Sequence, residues 1–301
     1  MKITNKSKQF IEREARFGAL NYHPLDVVIS RGEGIYVWDV DDKRYFDFLS
    51  AYSAVNQGHS HPKILKSLSE QASRLALTSR AFYNDKLGPY EEFMNKVFGY
   101  DRLLPVNSGA EAVESALKLA RKWAYLKKGI QKDKAITIVC DGNFHGRTIS
   151  VVSLSTDPTA YNHYGPLTPG FIKIPFGCAD SLEDILKIYG ENVAASMLEP
   201  LQGAAGVVTP PDGYLKKCRE LCTKYNVLMI ADEVQTGIAR TGKLLCSWRE
   251  DIRPDIVILG KALSGGLMPV SAVLADDEVM LNIKPGEHGS TFGGSPLACA
   301  V

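Results

Sequence analysis

From about residue 100 onward, short apolar runs alternate with amphipathic stretches, and this alternation narrows the possible folds more than any other feature. The runs at 103–106, 135–140, 170–174, 194–199, 227–231, 256–259 and 271–274 are mostly continuous in apolar residues. A strand covered on both faces carries such a run, because neither of its faces meets water. Between them, 111–126, 181–189 and 214–225 read as helices. Strand and helix in repetition predict an α/β domain with a mostly parallel central sheet. At 45% hydrophobic and 23% charged residues, the 301-residue chain has the composition to fill such a core.

The first hundred residues are patterned differently. Residues 6–17 read as a short helix. Residues 34–48 read as two strands, with Asp41-Asp42 as their turn. Residues 62–77 place Ile64, Leu65, Leu68, Ala72 and Leu75 on one helical face, and 88–98 predict another helix. We therefore divide the chain into an N-terminal segment, 1–48, and a large domain, 49–301.

Bulk charge is balanced: Lys+Arg total 35 and Asp+Glu 34, for a formal net charge of +1. Nothing in that balance points to nucleic acid or to a membrane surface. The six cysteines form no C-x-x-C pair, so no metal centre is expected and reduced thiols are. No apolar run reaches the ~18 residues of a membrane span. The first 24 residues lack the apolar centre of a secretory signal. These features predict a cytosolic location, with the mitochondrial matrix less favoured.

In open α/β sheets, ligands bind beyond the carboxyl ends of the strands. Five polar, glycine-bearing clusters fall at such ends here: 107–110, 141–147, 199–203, 232–235 and 260–266. Within them, Lys261 follows a buried run. Desolvation there would disfavour its charged form, and a neutral amine can attack an aldehyde carbon to form a Schiff base. Asp232 closes another run, where a carboxylate could pair with a protonated ring nitrogen. Ser108, Gly109 and Ala110 open a helix, whose free N–H groups and dipole suit a phosphate ester. Phe144 could stack on a ring, with His145 beside it. Arg147 presents a guanidinium that matches a carboxylate. Taken singly, each residue also has an ordinary reading: a solvated lysine, a capping aspartate, a capped helix, a core aromatic, a structural ion pair.

Taken jointly, these residues resemble the class III aminotransferases of the pyridoxal-phosphate-dependent fold type I. The resemblance rests on Ile230-Ala-Asp-Glu-Val-Gln-Thr-Gly237, Arg240-Thr-Gly242, Pro254-Asp-Ile and Gly260-Lys-Ala-Leu-Ser-Gly-Gly266, and it covers essentially the whole chain. Within the class, Asn21-Tyr-His-Pro-Leu25, the run from Phe48 to His59, Gly142-Asn-Phe-His-Gly-Arg-Thr148 and the run from Lys284 to Gly294 are similar to the branch that acts on ornithine.

The resemblance implies a role for each position. Lys261 would hold pyridoxal 5′-phosphate and shuttle a proton, and Asp232 would hold the pyridine nitrogen. Gln235 would lie against the phenolic oxygen, Phe144 would stack on the ring, and His145 belongs to the same cofactor-binding set. Ser108, Gly109 and Ala110 would bind the phosphate, joined by Ser290 and Thr291 from the second subunit of a homodimer. Tyr22 and Arg147 would hold the α-amino acid end of L-ornithine, and Tyr52 would shape the pocket. The second substrate would be 2-oxoglutarate; the alternatives are an enzyme of the class that acts on N-acetylornithine or 4-aminobutyrate, or a truncated non-catalytic relative.

Two departures from the class are visible. Members commonly carry Glu after the Gln-Gly of Glu-Pro-x-Gln-Gly, paired with a C-terminal arginine; here that position is Ala204. Members also run on past the point matching Val301 by a small domain's length, ~100 residues. A fragment without the C-terminal small domain is therefore expected.

Overall fold

A computed structural model describes residues 3–301; Met1 and Lys2 lie outside it. Helix α1 (Asn5–Phe17) starts where the Thr4 hydroxyl accepts the Ser7 N–H. Strands β1 (Ile29–Glu33), β2 (Tyr36–Asp39) and β3 (Arg44–Phe46) form an antiparallel sheet in that order. The expected turn at Asp41-Asp42 is built by Asp39, whose carboxylate accepts the N–H groups of Asp41 and Lys43, both at 2.9 Å, and the Tyr45 hydroxyl at 2.7 Å. Strand β1 was not expected. Its sequence, Ile-Ser-Arg-Gly-Glu, has no apolar alternation, and pairing with β2 extends it.

Next comes a short turn, α2 (Ser50–Ser53), with four consecutive left-handed residues: Ser50 (φ 49°), Ala51 (45°), Tyr52 (55°) and Ser53 (77°). Helices α3 (Pro62–Arg74) and α4 (Leu87–Phe98) follow it; α3 stops three residues short of the expected end, and Leu75 is extended.

The α/β unit contains β4 (Arg102–Val106), α5 (Gly109–Trp123), β5 (Ile136–Cys140), α6 (Ile149–Leu154), α7 (Pro158–Tyr161), β6 (Phe171–Ile174), α8 (Ala179–Tyr189), β7 (Val193–Leu198), α9 (Tyr214–Lys224), β8 (Leu228–Asp232), β9 (Ile256–Leu259), β10 (Ser271–Ala275), α10 (Asp277–Met280) and α11 (Pro296–Ala300). Its sheet has seven strands in the order β4-β10-β9-β8-β7-β5-β6. Strand β10 is antiparallel to both its neighbours, and the other pairings are parallel. The fold is thus the expected α/β class with a mostly parallel sheet.

Every residue of β7, β8, β9 and β10 is buried. Successive side chains serve opposite layers, as the pleat requires. Met197 and Ile230 join the core under α5, whereas Leu198 and Met229 join the core under α8 and α9. Helix α5 ends earlier than its pattern predicts and runs into a π-helical turn, Ala124–Lys128. There the Lys128 amine donates to the carbonyls of Gly190, Val193 and Tyr225 at 2.8, 2.9 and 3.1 Å.

Candidate active site

The carboxyl ends of β4, β5, β7, β8 and β9 bring the five polar clusters to one edge of the sheet. Asp232 is the last residue of β8 and is 4% exposed. Its Oδ1 accepts the Val234 N–H at 3.1 Å. Its Oδ2 stands 2.5 Å from Nδ1 of His145, a fully buried ring. Burial alone would lower the His145 pKa, but the hydrogen bond and charge of Asp232 outweigh it and raise it. A buried imidazole with a raised pKa therefore backs the carboxylate. The other ring nitrogen, Nε2, is buried and has no partner among the described residues. Next in sequence, the Glu233 carboxylate accepts the N–H groups of Cys246 (3.0 Å) and Ser247 (2.8 Å) and the Thr236 hydroxyl. These bonds pin the loop after β8 and fix where Asp232 points.

Lys261 opens a 3-10 turn just past β9. Its φ of 43° is left-handed, a conformation that costs a lysine roughly 1–2 kcal/mol. Such strain is concentrated at functional positions. Burial lowers the Lys261 pKa, partly opposed by the charges of Asp232 and Glu199. Glu199 follows β7, is 5% exposed and accepts the Phe144 N–H at 3.1 Å. Burial lifts its carboxyl to about 7. Sequence reasoning gave Glu199 no role beyond its cluster. The signal available was an acid placed directly after a wholly apolar strand.

The third wall is the start of α5. The Ser108 hydroxyl accepts the Glu111 N–H, and the Glu111 carboxylate accepts the N–H groups of Asn107 and Ser108. This capping box leaves Gly109 and Ala110, the first two helical residues, with N–H groups beyond the reach of any helical carbonyl. Gly109 packs closely: a Cβ there would lie 3.0 Å from Val234 Cγ1. A cleft of about 340 Å³ joins Ser108, Gly109 and Lys261 with Ala51 and Ala54 of the left-handed turn region. Ser290 Oγ accepts a hydrogen bond from Asn107 Nδ2 at 3.0 Å, next to the cap; Thr291 lines a separate cleft with Arg80.

An adjoining cleft of about 320 Å³ is lined by Phe144, His145, Arg147, Asp157 and Ala204. The Arg147 guanidinium lies 5.5 Å from the Phe144 ring centroid and 3.8 Å from Asp157. Gln235 packs on Gly203, where a Cβ would collide with its amide. The structure thus gathers Lys261, Asp232, His145, Phe144, Arg147, Gln235 and the α5 start. Tyr22 (77% exposed) and Tyr52 (58% exposed) line neither cleft, although Tyr52 sits in the turn bordering the first.

These groups fit pyridoxal 5′-phosphate by the chemistry of each donor. Lys261 offers a desolvated amine for the aldehyde. Asp232, backed by His145, offers a negative charge for the ring nitrogen. Gly109 and Ala110 offer N–H groups for the phosphate.

The chain belongs to the class-III aminotransferase family, whose model matches residues 17–301. Among individual proteins it is similar to the mitochondrial ornithine aminotransferase of Arabidopsis thaliana, 62% identical over 99% of this chain and 62% of that protein. A crystal structure of the ornithine aminotransferase of Toxoplasma gondii superposes with a TM-score of 0.96 at 50% identity, over 99% of this chain and 70% of that one. The acetylornithine aminotransferase structure from Elizabethkingia anophelis gives 0.89 at 59% identity, over 99% and 71%. The chain spans less than two thirds of the length of the A. thaliana relative. The expected cytosolic location is overturned: the relatives from A. thaliana, Drosophila melanogaster and Rattus norvegicus are named mitochondrial. Charge balance and the missing secretory pattern do not discriminate the matrix from the cytosol.

Proposed function

We propose that the chain forms most of an ornithine δ-aminotransferase, which moves the δ-amino group of L-ornithine to 2-oxoglutarate and yields glutamate 5-semialdehyde and glutamate. The observation that carries this reading is the convergence of Lys261, Asp232 and the α5 start on one sheet edge, beside the Phe144–Arg147 cleft. When bound, pyridoxal 5′-phosphate supplies an electron sink for the carbanion formed next to the transferred nitrogen.

The chain's own residues do the rest. Lys261 holds the cofactor, then takes a proton from the substrate Cδ and returns one as general base and acid. Its lowered pKa keeps the neutral amine available. Asp232, paired with His145, keeps a negative charge where the ring nitrogen sits. Phe144 covers the ring face and Gln235 meets the phenolic oxygen. Ser108, Gly109 and Ala110 hold the phosphate, with Ser290 and Thr291 reaching it from the second subunit of a homodimer. Arg147 takes the substrate α-carboxylate, and Tyr52 borders the pocket.

Similarity to an acetylornithine aminotransferase keeps a second substrate in view. An assay that traps the cyclised semialdehyde decides between them. Turnover of ornithine and none of N-acetylornithine is the expected result; the reverse rejects the assignment. Visible absorbance from bound cofactor, abolished in Lys261→Ala, tests the cofactor lysine separately.

A further inference from the structure

Arg147 and Asp157 flank the short helix α6, and both return to the Phe144 cleft. The segment after α6 is tied down. The Thr156 hydroxyl accepts the Gly142 N–H at 2.8 Å, and Ser155 Oγ accepts the Asp157 N–H at 3.1 Å. Asp157 then caps α7. Its Oδ1 accepts the Thr159 N–H at 2.9 Å, and the Thr159 hydroxyl stands 2.8 Å from both carboxylate oxygens. A hydroxyl has one hydrogen to give, so the carboxylate keeps acceptor capacity at Oδ2. The Thr159 bonds, and then the Arg147 charge, hold the carboxyl below its ordinary range and keep it ionised at neutral pH.

Asp157 Oδ2 faces Arg147 Nη2 across 3.8 Å, wider than a hydrogen bond. The two side chains are 48% and 55% exposed. Among the described residues Arg147 donates no hydrogen bond, and its other neighbour is the Phe144 ring. Opposite charges thus stand side by side, open to the cleft. Among the described residues no other acid lines it, and Ala204 and Ala205 on the same wall supply no charge.

The α end of a free amino acid carries a carboxylate and an ammonium on one carbon. A carboxylate placed on Arg147 alone would leave the ammonium beside a guanidinium and without an acceptor, and a charge taken out of water unpaired is costly. We propose that Asp157 takes the α-ammonium of L-ornithine while Arg147 takes its α-carboxylate, so that Asp157 selects substrates whose α-amine is free. N-acetylornithine offers an uncharged amide at that point, and 5-aminopentanoate offers nothing. The inference rests on the ornithine reading proposed above and names the group that enforces it.

Asp157→Asn removes the charge and keeps a side chain that caps α7. Steady-state kinetics on holoenzyme compare it with the parent by two readouts: the KM for L-ornithine, and the inhibition constant of 5-aminopentanoate against ornithine. That inhibitor keeps the δ-amine and the carboxylate and lacks only the α-amine. Loss of a charged hydrogen bond predicts a KM for ornithine about tenfold or more higher in the variant, with 5-aminopentanoate bound as tightly as before or tighter. A merely structural role, exerted through the position of Arg147, would weaken both ligands alike. Equal weakening of the two, or an unchanged KM for ornithine, would overturn the proposal. A parent enzyme that turns over N-acetylornithine and not ornithine would instead reject the ornithine reading itself, a result seen before any variant is compared.

Discussion

His145 Nδ1 lies 2.5 Å from Asp232 Oδ2, and the two side chains, 87 residues apart in sequence, are both buried. The hydrogen bond and charge of Asp232 are what raise the His145 pKa against its burial. Removing the carboxylate leaves the buried Nδ1–H of His145 without an acceptor, which typically costs about 1–3 kcal/mol. Urea unfolding of apoprotein should therefore show Asp232→Ala destabilised on that scale, and Asp232→Asn less so because the amide oxygen can still accept from Nδ1. Equal, small effects of both changes would mean that the His145–Asp232 bond contributes little to the fold.

Glu199 sets a pH dependence whose sign can be worked out. Its carboxyl is raised to about 7 in the folded protein, against an ordinary value of 4.5. Between those values the folded chain holds a proton that the unfolded chain has released, so stability falls as pH rises through the window and levels off above it. The raised His145 pKa adds a loss of the same sign at higher pH. Urea midpoints of apoprotein from about pH 5 to about pH 8 should decline, and Glu199→Gln should flatten the lower part of that decline.

Gly109 separates phosphate binding from ring binding. A methyl group at this position would press on Val234, 3.0 Å away, and push the α5 N–H groups outward. Overpacking of this kind costs about 1–3 kcal/mol. Equilibrium dialysis should show Gly109→Ala weakening pyridoxal 5′-phosphate far more than pyridoxal, with partial recovery on adding Val234→Ala.

Lys261 is held against its own preferences, in a left-handed conformation and partly desolvated. Relief of the backbone strain is worth about 1–2 kcal/mol, against roughly 0.5–1 for the added freedom of an unfolded glycine. Lys261→Gly apoprotein should thus be more resistant to urea than the parent while losing all transaminase activity. A less stable variant would show that the lysine packs favourably where it stands.

Arg147 tests the substrate assignment. Its guanidinium, shared between Phe144 and Asp157, is exposed enough to be recruited by a carboxylate. Hydrogen bonds to charged groups contribute about 1.5–3 kcal/mol, so Arg147→Ala should raise the KM for ornithine roughly 10–100-fold with a smaller change in kcat. Steady-state kinetics that show an unchanged KM would return Arg147 to a structural role.

Much of the sheet was legible because its inner strands are covered on both faces, which leaves continuous apolar runs in the sequence; β9 matches its expected bounds, and the others fall within a residue or so at each end. Strand β1 was not legible, since Ile-Ser-Arg-Gly-Glu is extended by a partner and not by its own pattern. The left-handed turn at Ser50–Ser53 was equally hidden: no glycine marks it, and local propensity argues against it. The antiparallel placement of β10 between β4 and β9 also escaped notice, because strand direction leaves no trace in composition.

By itself the sequence determined the class of fold and the sheet edge where its polar clusters gather, and its resemblance to the class III aminotransferases pointed to Lys261 and Asp232 as the centre of the site. The fold class and the sheet edge follow from local patterns: buried runs, and polar clusters placed directly after them. Tertiary structure decided what each group faces. It set His145 behind Asp232, buried Glu199 so that its carboxyl rises to about 7, and brought Arg147 and Asp157 to one cleft beside Phe144. Charge state and hydrogen bonding depend on neighbours across the sheet, and those neighbours are distant in sequence.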